Sequence, residues 1–372
     1  MDQHRDGVKV ASEAVPRPPR ITGLDVARAL ALFGMFAAHI ANTGENGPGG
    51  WRWLVATHGR SSALFAVLAG VSIALMITRA PSLHPGVDSV RHTRVRVAVR
   101  GGMLIVLGWI LGLLNTPVDV ILDNLGLMFL LALIAFRWRP WTLVAVGAGV
   151  LAFGREVLTP LVQHLPAWLH NLPVADELWS IHYPALIWIG YLLIGMGIGQ
   201  LAPWRGKALG WLGASGLALA VLAYGTAAWT LAANGHEITW ADSGPPPVLW
   251  YDVGAHSYTA FEMLGNTGIA FMVIALCCWL AGLASRVTWP FAAAGAMTLT
   301  LYSGQIVLIA LAGPDIVFHP SNVAWIALCA VSLIFASVWR WRVGQGPLEN
   351  VFTTASTAVA DADAKGRVSS RL

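Results

Sequence analysis

Ten stretches of this chain are apolar over about the length that carries an α-helix through a bilayer, and that pattern dominates what it can fold into. They run over about 22–42, 61–79, 97–115, 118–136, 140–156, 183–201, 208–232, 258–284, 290–312 and 322–340. Charged residues make up only 11% of the chain, against about 25% in soluble domains. In a bilayer each backbone N–H and C=O must be paired within its own segment, so long apolar runs become helices. The expected fold is an all-α integral membrane protein, a polytopic bundle of about ten transmembrane helices. The 18 tryptophans fit interfacial belts at headgroup level.

Placing both termini on the cytoplasmic side puts 19 of the 23 basic residues in cytoplasmic segments. Only Arg52, Arg60 and Arg155 then lie outside, with Arg28 inside the first run. This is the positive-inside bias, and it explains the basic loops without any nucleic-acid partner. Residues 1–19 and 351–372 read as disordered cytoplasmic tails around a membrane domain over 20–350. Residues 1–20 are polar and show no cleavable signal peptide. Cys277, Cys278 and Cys329 lie in apolar runs without disulfide or zinc spacing, and no metal ligand set emerges. The expected location is the plasma membrane, crossed many times, with the oligomeric state open and a homo-oligomer among the options.

The first run carries three groups that hydrocarbon disfavours: Asp25, Arg28 and His39. An ionisable group at mid-membrane costs about 2.5–3.5 kcal/mol on translocon scales. Arg28 and His39 are eleven residues apart, close to three turns, which puts them on one helix face roughly 16 Å apart. One reading is an acyl-transfer channel. His39 is then a general base or acyl relay near the outer side, and Arg28 grips an anionic part of the donor from the cytoplasmic side. The other reading is structural: Asp25 pairs with Arg28 one turn away, and His39 bonds a neighbouring helix.

The outer loops hold His58, His164, His170, His182, His236, His256 and His319, together with several carboxylates and tryptophans. They read either as a wet mouth for a polar or sugar-like substrate or as ordinary headgroup-contacting loops. His58, beside Arg60, Ser61 and Ser62, is the second candidate for the base that deprotonates the acceptor. Within the bundle, Glu262 and Asn266 share a face, as do Thr298, Tyr302 and Gln305. Glu262, Asn266, Tyr302 and Gln305 are candidate substrate-binding groups or, equally, interhelical polar contacts. Asp119 and Asp123 are four apart near the outer end of the fourth run. Arg94, Arg96 and Arg100 are spaced to clamp the phosphates of a coenzyme A, although the positive-inside rule places arginines there regardless. The glycines at 190, 195, 197 and 199 follow no strand, so they mark close helix packing rather than a dinucleotide loop.

The stretch LDVARALALFGMFAAHIAN resembles the first helix of a transmembrane acyltransferase superfamily, which includes heparan-α-glucosaminide N-acetyltransferase and the YeiB-like bacterial membrane proteins. The pattern matches at Leu24, Asp25, Arg28, Ala29 and Ala31, and Arg28 to His39 is similar to the Arg-x10-His signature of acyltransferase-3 proteins. The first two families usually carry Asn where His39 stands. THGRSSALFAVLAGVSIAL (57–75), HYPALIWIGYLLIGMGIGQL (182–201), LTLYSGQ (299–305) and GPLE (346–349) also resemble YeiB-like segments, in order along the chain. The resemblance implies an acyl-CoA co-substrate, most simply acetyl-CoA, and an acceptor hydroxyl or amine on an envelope glycan or lipid. Two rival functions stay open: a transporter of a small polar metabolite, and a non-catalytic member of an envelope assembly. The absence of an internal repeat and of paired broken helices in the sequence weighs against the transporter.

Overall fold

The computed structural model describes residues 20–43, 51–83, 88–170, 172, 175–179, 182–239 and 250–369. Its elements are α1 (Thr22–Ile40), a 3-10 turn (Arg52–Thr57), α2 (Arg60–Leu83), α3 (Ser89–Gly112), α4 (Leu122–Ala132), α5 (Pro140–Gln163), α6 (Ala167–His170) and α7 (Ala175–Trp179). Then follow α8 (Ala185–Leu201), α9 (Gly206–Ala233), α10 (Ala260–Leu283), α11 (Ser285–Gly295), α12 (Thr298–Ala312), α13 (Asp315–Phe318), α14 (Asn322–Arg342) and α15 (Pro347–Ser369). The protein is an all-α polytopic membrane protein. Among the described residues, seven helices are long and apolar enough to cross a bilayer, and eight if α11 and α12, bent by 61° at their junction, form one broken span. The shorter apolar helices α4 and α8 fall on two more of the runs expected to cross.

The chain runs back and forth between two chemically different ends. Arg28 of α1, paired with Asp25, donates to Ser72 of α2, and Arg100 of α3 donates to Thr353 of α15, at an arginine-rich end. At the other end His39 meets Gln305 of α12, and Asn322 at the start of α14 accepts from the Asn42 N–H. The two ends of the described chain, Arg20 and α15, therefore both lie at the arginine-rich end. The outward faces of α5, α9 and α14 carry Phe153, Trp211, Leu222, Trp229, Val323, Phe335 and Trp341, all exposed. Soluble monomers rarely show such continuous apolar area, whereas lipid covers it in a membrane.

Helix α8 is the inner strut. It is apolar all round, as a helix without a solvent face must be, and almost every residue from Ile187 to Gly199 is buried against α2, α4 and α5. Its glycines permit that packing. A Cβ at Gly195 would lie 2.0 Å from the Val67 carbonyl oxygen, and one at Gly70 would lie 2.0 Å from that of Leu192. The backbones of α2 and α8 therefore touch. This bears out close packing as the reason for the glycine-rich run. Gly295 of α11 abuts the Asp25 carbonyl in the same way and seats the bend of the broken span against α1.

The C-terminal segment departs from expectation. Residues 351–369 do not form a disordered tail: Pro347–Ser369 is a helix packed along α3. Arg91 donates two hydrogen bonds to Asp363, at 2.7 and 2.8 Å. The buried His92 meets Asp361 at 2.8 Å, and Arg100 donates to Ser356 and Thr353. Its composition reads as polar tail because its anchors lie some 250–270 residues away in sequence. The expected tail at 1–19 lies outside the described residues.

Candidate functional site

Two cavities open at opposite ends of the same helices. The first, about 670 Å³, lies at the arginine-rich end. Arg20, Arg28, Arg100 and Arg340 line its mouth, and Phe65, Leu68, Leu104, Leu122, Leu125 and Phe129 line its depth. Glu349 is the one carboxylate among the described lining residues, and it is already bound to the Thr300 N–H and hydroxyl. The net field favours an anionic head, and the apolar depth suits an extended, less polar arm.

Arg28 is fixed in place by its own helix. Asp25, 2% exposed, takes one guanidinium nitrogen, and Ser72 Oγ takes the other at 2.8 Å. Arg20 also reaches Asp25, at 2.5 Å. A buried carboxylate needs such partners to be tolerated, so Asp25 is the residue that orients two arginines at the mouth. Arg100 reaches the same cavity and meets only neutral oxygen and sulfur among its recorded partners. The three arginines expected to act together are separated. Arg96 lines a side pocket of about 260 Å³ shared with Arg28 and Arg79. Arg94 turns away, donating to the Leu133 carbonyl at 3.1 Å and lying over the Phe136 ring. Arg94, two residues before Arg96 and six before Arg100, points to the other side of α3, whereas Arg96 and Arg100, four apart, share a face and open into adjoining cavities.

The second cavity, about 320 Å³, lies at the other end. Its lining includes His39, His58, Ser61, Ser62, Asp119, His182, Tyr183 and His256, from five separate segments of the chain. The two histidines expected from sequence are thus brought to one cavity. His39 is half-buried, with its Nδ1 edge 3.1 Å from the side-chain amide of the buried Gln305. His58 Nε2 stands 3.0 Å from the Thr43 hydroxyl. His182 Nδ1 is 2.6 Å from Asp119 Oδ2, and that bond holds the Asp119 carboxyl below the ordinary carboxylate range although partial burial pushes the other way. The His182 and His256 rings meet edge to face at 5.3 Å.

Glu262 and Asn266 lie behind this cavity, not in its lining. Glu262 accepts from the backbone N–H groups of His256 and Tyr258, the Ser257 hydroxyl and the Asn266 amide. His256 and Tyr258 have φ of 60° and 56°, a left-handed conformation that costs non-glycine residues energy. Glu262 gathers the two N–H groups that this conformation aims at one point, so it fixes the loop that presents His256. Asn266 continues the cluster to Tyr191 and Tyr224. Tyr302 accepts from the Ile121 N–H at 3.2 Å and anchors the chain just before α4. Of the four expected substrate-binding residues, Gln305 bonds to an imidazole of the cavity lining, whereas Glu262 reaches His256 through its backbone N–H.

Next to this cavity is a vestibule of about 620 Å³ lined by Asp119, Asp123, Asn124, Glu177, Trp179, His182 and Tyr183, among others. In sequence, His182 and His256 belong to the outer-loop inventory, Asp119 is paired with Asp123 near the outer end of the fourth run, and Tyr183 falls in the stretch 182–201. Their signal was concentration of His and Asp in the loops at one face; their convergence comes from the fold. No group of three or more His, Cys, Asp or Glu among the described residues could hold a metal ion.

Helices of this length and exposure, with polar cavities at both ends, define a multi-span membrane protein with internal sites. Residues 20–232, more than half of the chain, match the family model for heparan-alpha-glucosaminide N-acetyltransferase, catalytic, and the chain belongs to that family. A search of curated proteins gave no match. The family makes it an acetyltransferase-type membrane protein, and the matched region carries Arg28, His39, His58, Arg100, Asp119 and His182.

Proposed function

We propose that this protein transfers an acyl group, most simply acetyl, from a coenzyme A thioester held at the arginine-rich end to a hydroxyl or amine held at the histidine-bearing end. The positive-inside bias makes the arginine-rich end cytoplasmic, and the acceptor then belongs to a glycan or lipid of the envelope. One observation carries the reading: the two cavities nearly meet. Phe65 lines the first and Ser62 the second, three residues apart on α2, which is about 4.5 Å along the axis. Leu122 at the start of α4 lines the first cavity, and Asp119, three residues earlier in the chain, lines the second.

In this arrangement Arg28 and Arg100 bind donor phosphates, with Arg20 and Arg340 adding to the field. Arg96 serves the side pocket. The apolar depth takes the arm that carries the thioester toward His39. His39 stabilises or relays the acyl group at the boundary, with its ring set by Gln305. His58 stands across the cavity, beside the Thr43 hydroxyl, where it faces the acceptor. Purified protein in proteoliposomes, supplied with radiolabelled acetyl-CoA, tests this. His39→Ala is expected to abolish label transfer to acceptor while leaving folded protein and acetyl-CoA binding. Undiminished transfer would remove His39 from the mechanism.

The broken span α11–α12 favours a second reading, transport of a small polar solute. Its bend places Gly295, Ala296, Thr298 and Leu299 in the wall of the first cavity, the kind of interrupted helix that forms transporter sites. Solute accumulation in proteoliposomes without any acyl donor would select that reading.

A further inference from the structure

We propose that His182, oriented by Asp119, is the base that takes the acceptor's proton. The proposal rests on the acyl-transfer reading above. His182 and Asp119 line both the 320 Å³ cavity that holds His39 and His58 and the 620 Å³ vestibule beside it. An acceptor entering by the vestibule therefore meets this pair at the passage between the two. The imidazole is 38% exposed and is gripped by a carboxylate at 2.6 Å. Side-chain contacts elsewhere in the cavity include the Gln305 amide at His39, the Thr43 hydroxyl at His58, and the His182 carbonyl and Tyr258 hydroxyl at His256. A carboxylate bonded to Nδ1 fixes the tautomer, leaves the basic lone pair on Nε2 and stabilises the imidazolium that forms on proton transfer.

The position is built in from two further sides. His256 donates its Nδ1 hydrogen to the His182 carbonyl at 2.8 Å, and its ring abuts that of His182. The His256 loop is in turn held by Glu262. Tyr183 O accepts from Asn124 Nδ2 at 2.8 Å, which ties the segment to the start of α4 just beyond Asp119. The contacts converge on the chain at 182–183 from α4 and from the loop before α10.

In the step itself, Nε2 of His182 takes the proton of an acceptor O–H or N–H as that atom attacks the thioester carbonyl. The C–S bond breaks and coenzyme A leaves as thiolate. The imidazolium returns its proton to solvent, from which the thiolate is protonated. The products are the acylated acceptor and the free thiol, with no oxidant or reductant needed. His182 is the catalytic residue here and Asp119 a positioning residue.

The test uses full-length protein in proteoliposomes, acetyl-CoA as donor, and methyl glucosaminide and methyl glucoside as amine and hydroxyl probes. Rates are measured against pH for wild type, His182→Gln, Asp119→Asn and Asp119→Glu. His39, His58 and His256 face the same cavity and Asp123, Glu177 and Tyr183 the vestibule, so variant profiles are compared with the wild-type profile. His182→Gln is expected to lower kcat by about 100-fold or more, with KM for acetyl-CoA within threefold, and to remove the acidic limb of the profile. Asp119→Asn is expected to lower kcat about tenfold and move that limb, and Asp119→Glu to recover part of the loss. A His182→Gln enzyme within threefold of wild type, with the limb retained, overturns the proposal while the acyl-transfer reading stands. Wild type that acetylates neither probe and releases no thiol from acetyl-CoA overturns both.

Discussion

At the scale of single residues, the site is a set of imidazoles whose partners differ in kind. His39 is held by Gln305 through Nδ1. Gln305→Leu keeps the volume and removes that bond, so the ring loses its fixed orientation. The expected result is a fall in transfer rate of about tenfold or more, with acetyl-CoA affinity unchanged, since misplaced catalytic groups lose rate before binding. Glu262 makes a different case. Its four recorded donors all come from the stretch that builds the His256 loop and from the turn of α10 below it. Glu262→Ala leaves buried donors unmet at about 1–3 kcal/mol each and releases two left-handed residues from the bracket that holds them. Thermal unfolding in detergent is expected to show a lower midpoint for Glu262→Ala and a smaller drop for Glu262→Gln, which keeps one acceptor oxygen. An unchanged midpoint for Glu262→Ala would mean that the loop stands without it. Sequence pointed to Glu262 because a carboxyl in an apolar run needs a partner. It could not tell a substrate from a loop, because both would be met by the same carboxylate.

At the scale of elements, the helices that periodicity and length make obvious are the ones present. The runs around α1, α2, α3, α5, α9, α10 and α14 announce themselves because a bilayer allows little else. The bend between α11 and α12 was not legible: it depends on Gly295 seating against Asp25, a contact between helices distant in sequence. Helix α15 was misread for a related reason, since its stability comes from α3 and not from apolar composition. Its docking has a definite pH sign. Arg91 holds the Asp363 carboxyl below the ordinary carboxylate range. A lowered folded-state value means that this contribution is complete above the ordinary carboxylate pKa of about 3.9 and is lost as pH falls through the lowered value. Protection of α15 from proteolysis is expected to be flat from pH 8 to 5 and to fall only in stronger acid. Arg91→Ala should expose α15 to cleavage at every pH, and equal protection in that variant would show that α15 is held by other contacts. At the α2–α8 contact, Gly195→Leu is expected to abolish folding, because a side chain there meets backbone that cannot yield. Recovery of folded protein in normal yield would show that the two helices can separate.

At the scale of the whole molecule, charge and chemistry are sorted along one axis. Arginines gather at one end and the clustered histidines at the other, with α1 carrying one representative of each. That polarity was readable from residues 20–42 and from the loop inventory, because helix geometry fixes the spacing of Arg28 and His39. The two cavities were not readable, nor was the thin partition between them, since both arise where α2 and the start of α4 converge on α1. The central claim is that an acyl group passes from one end of this axis to the other. Proteoliposomes in which the protein has one orientation, with radiolabelled acetyl-CoA only on the side of the arginine-rich end and acceptor sealed on the opposite side, test it directly. The expected result is label on the sealed acceptor, lost with His39→Ala. Label appearing only when donor and acceptor share a compartment would contradict it.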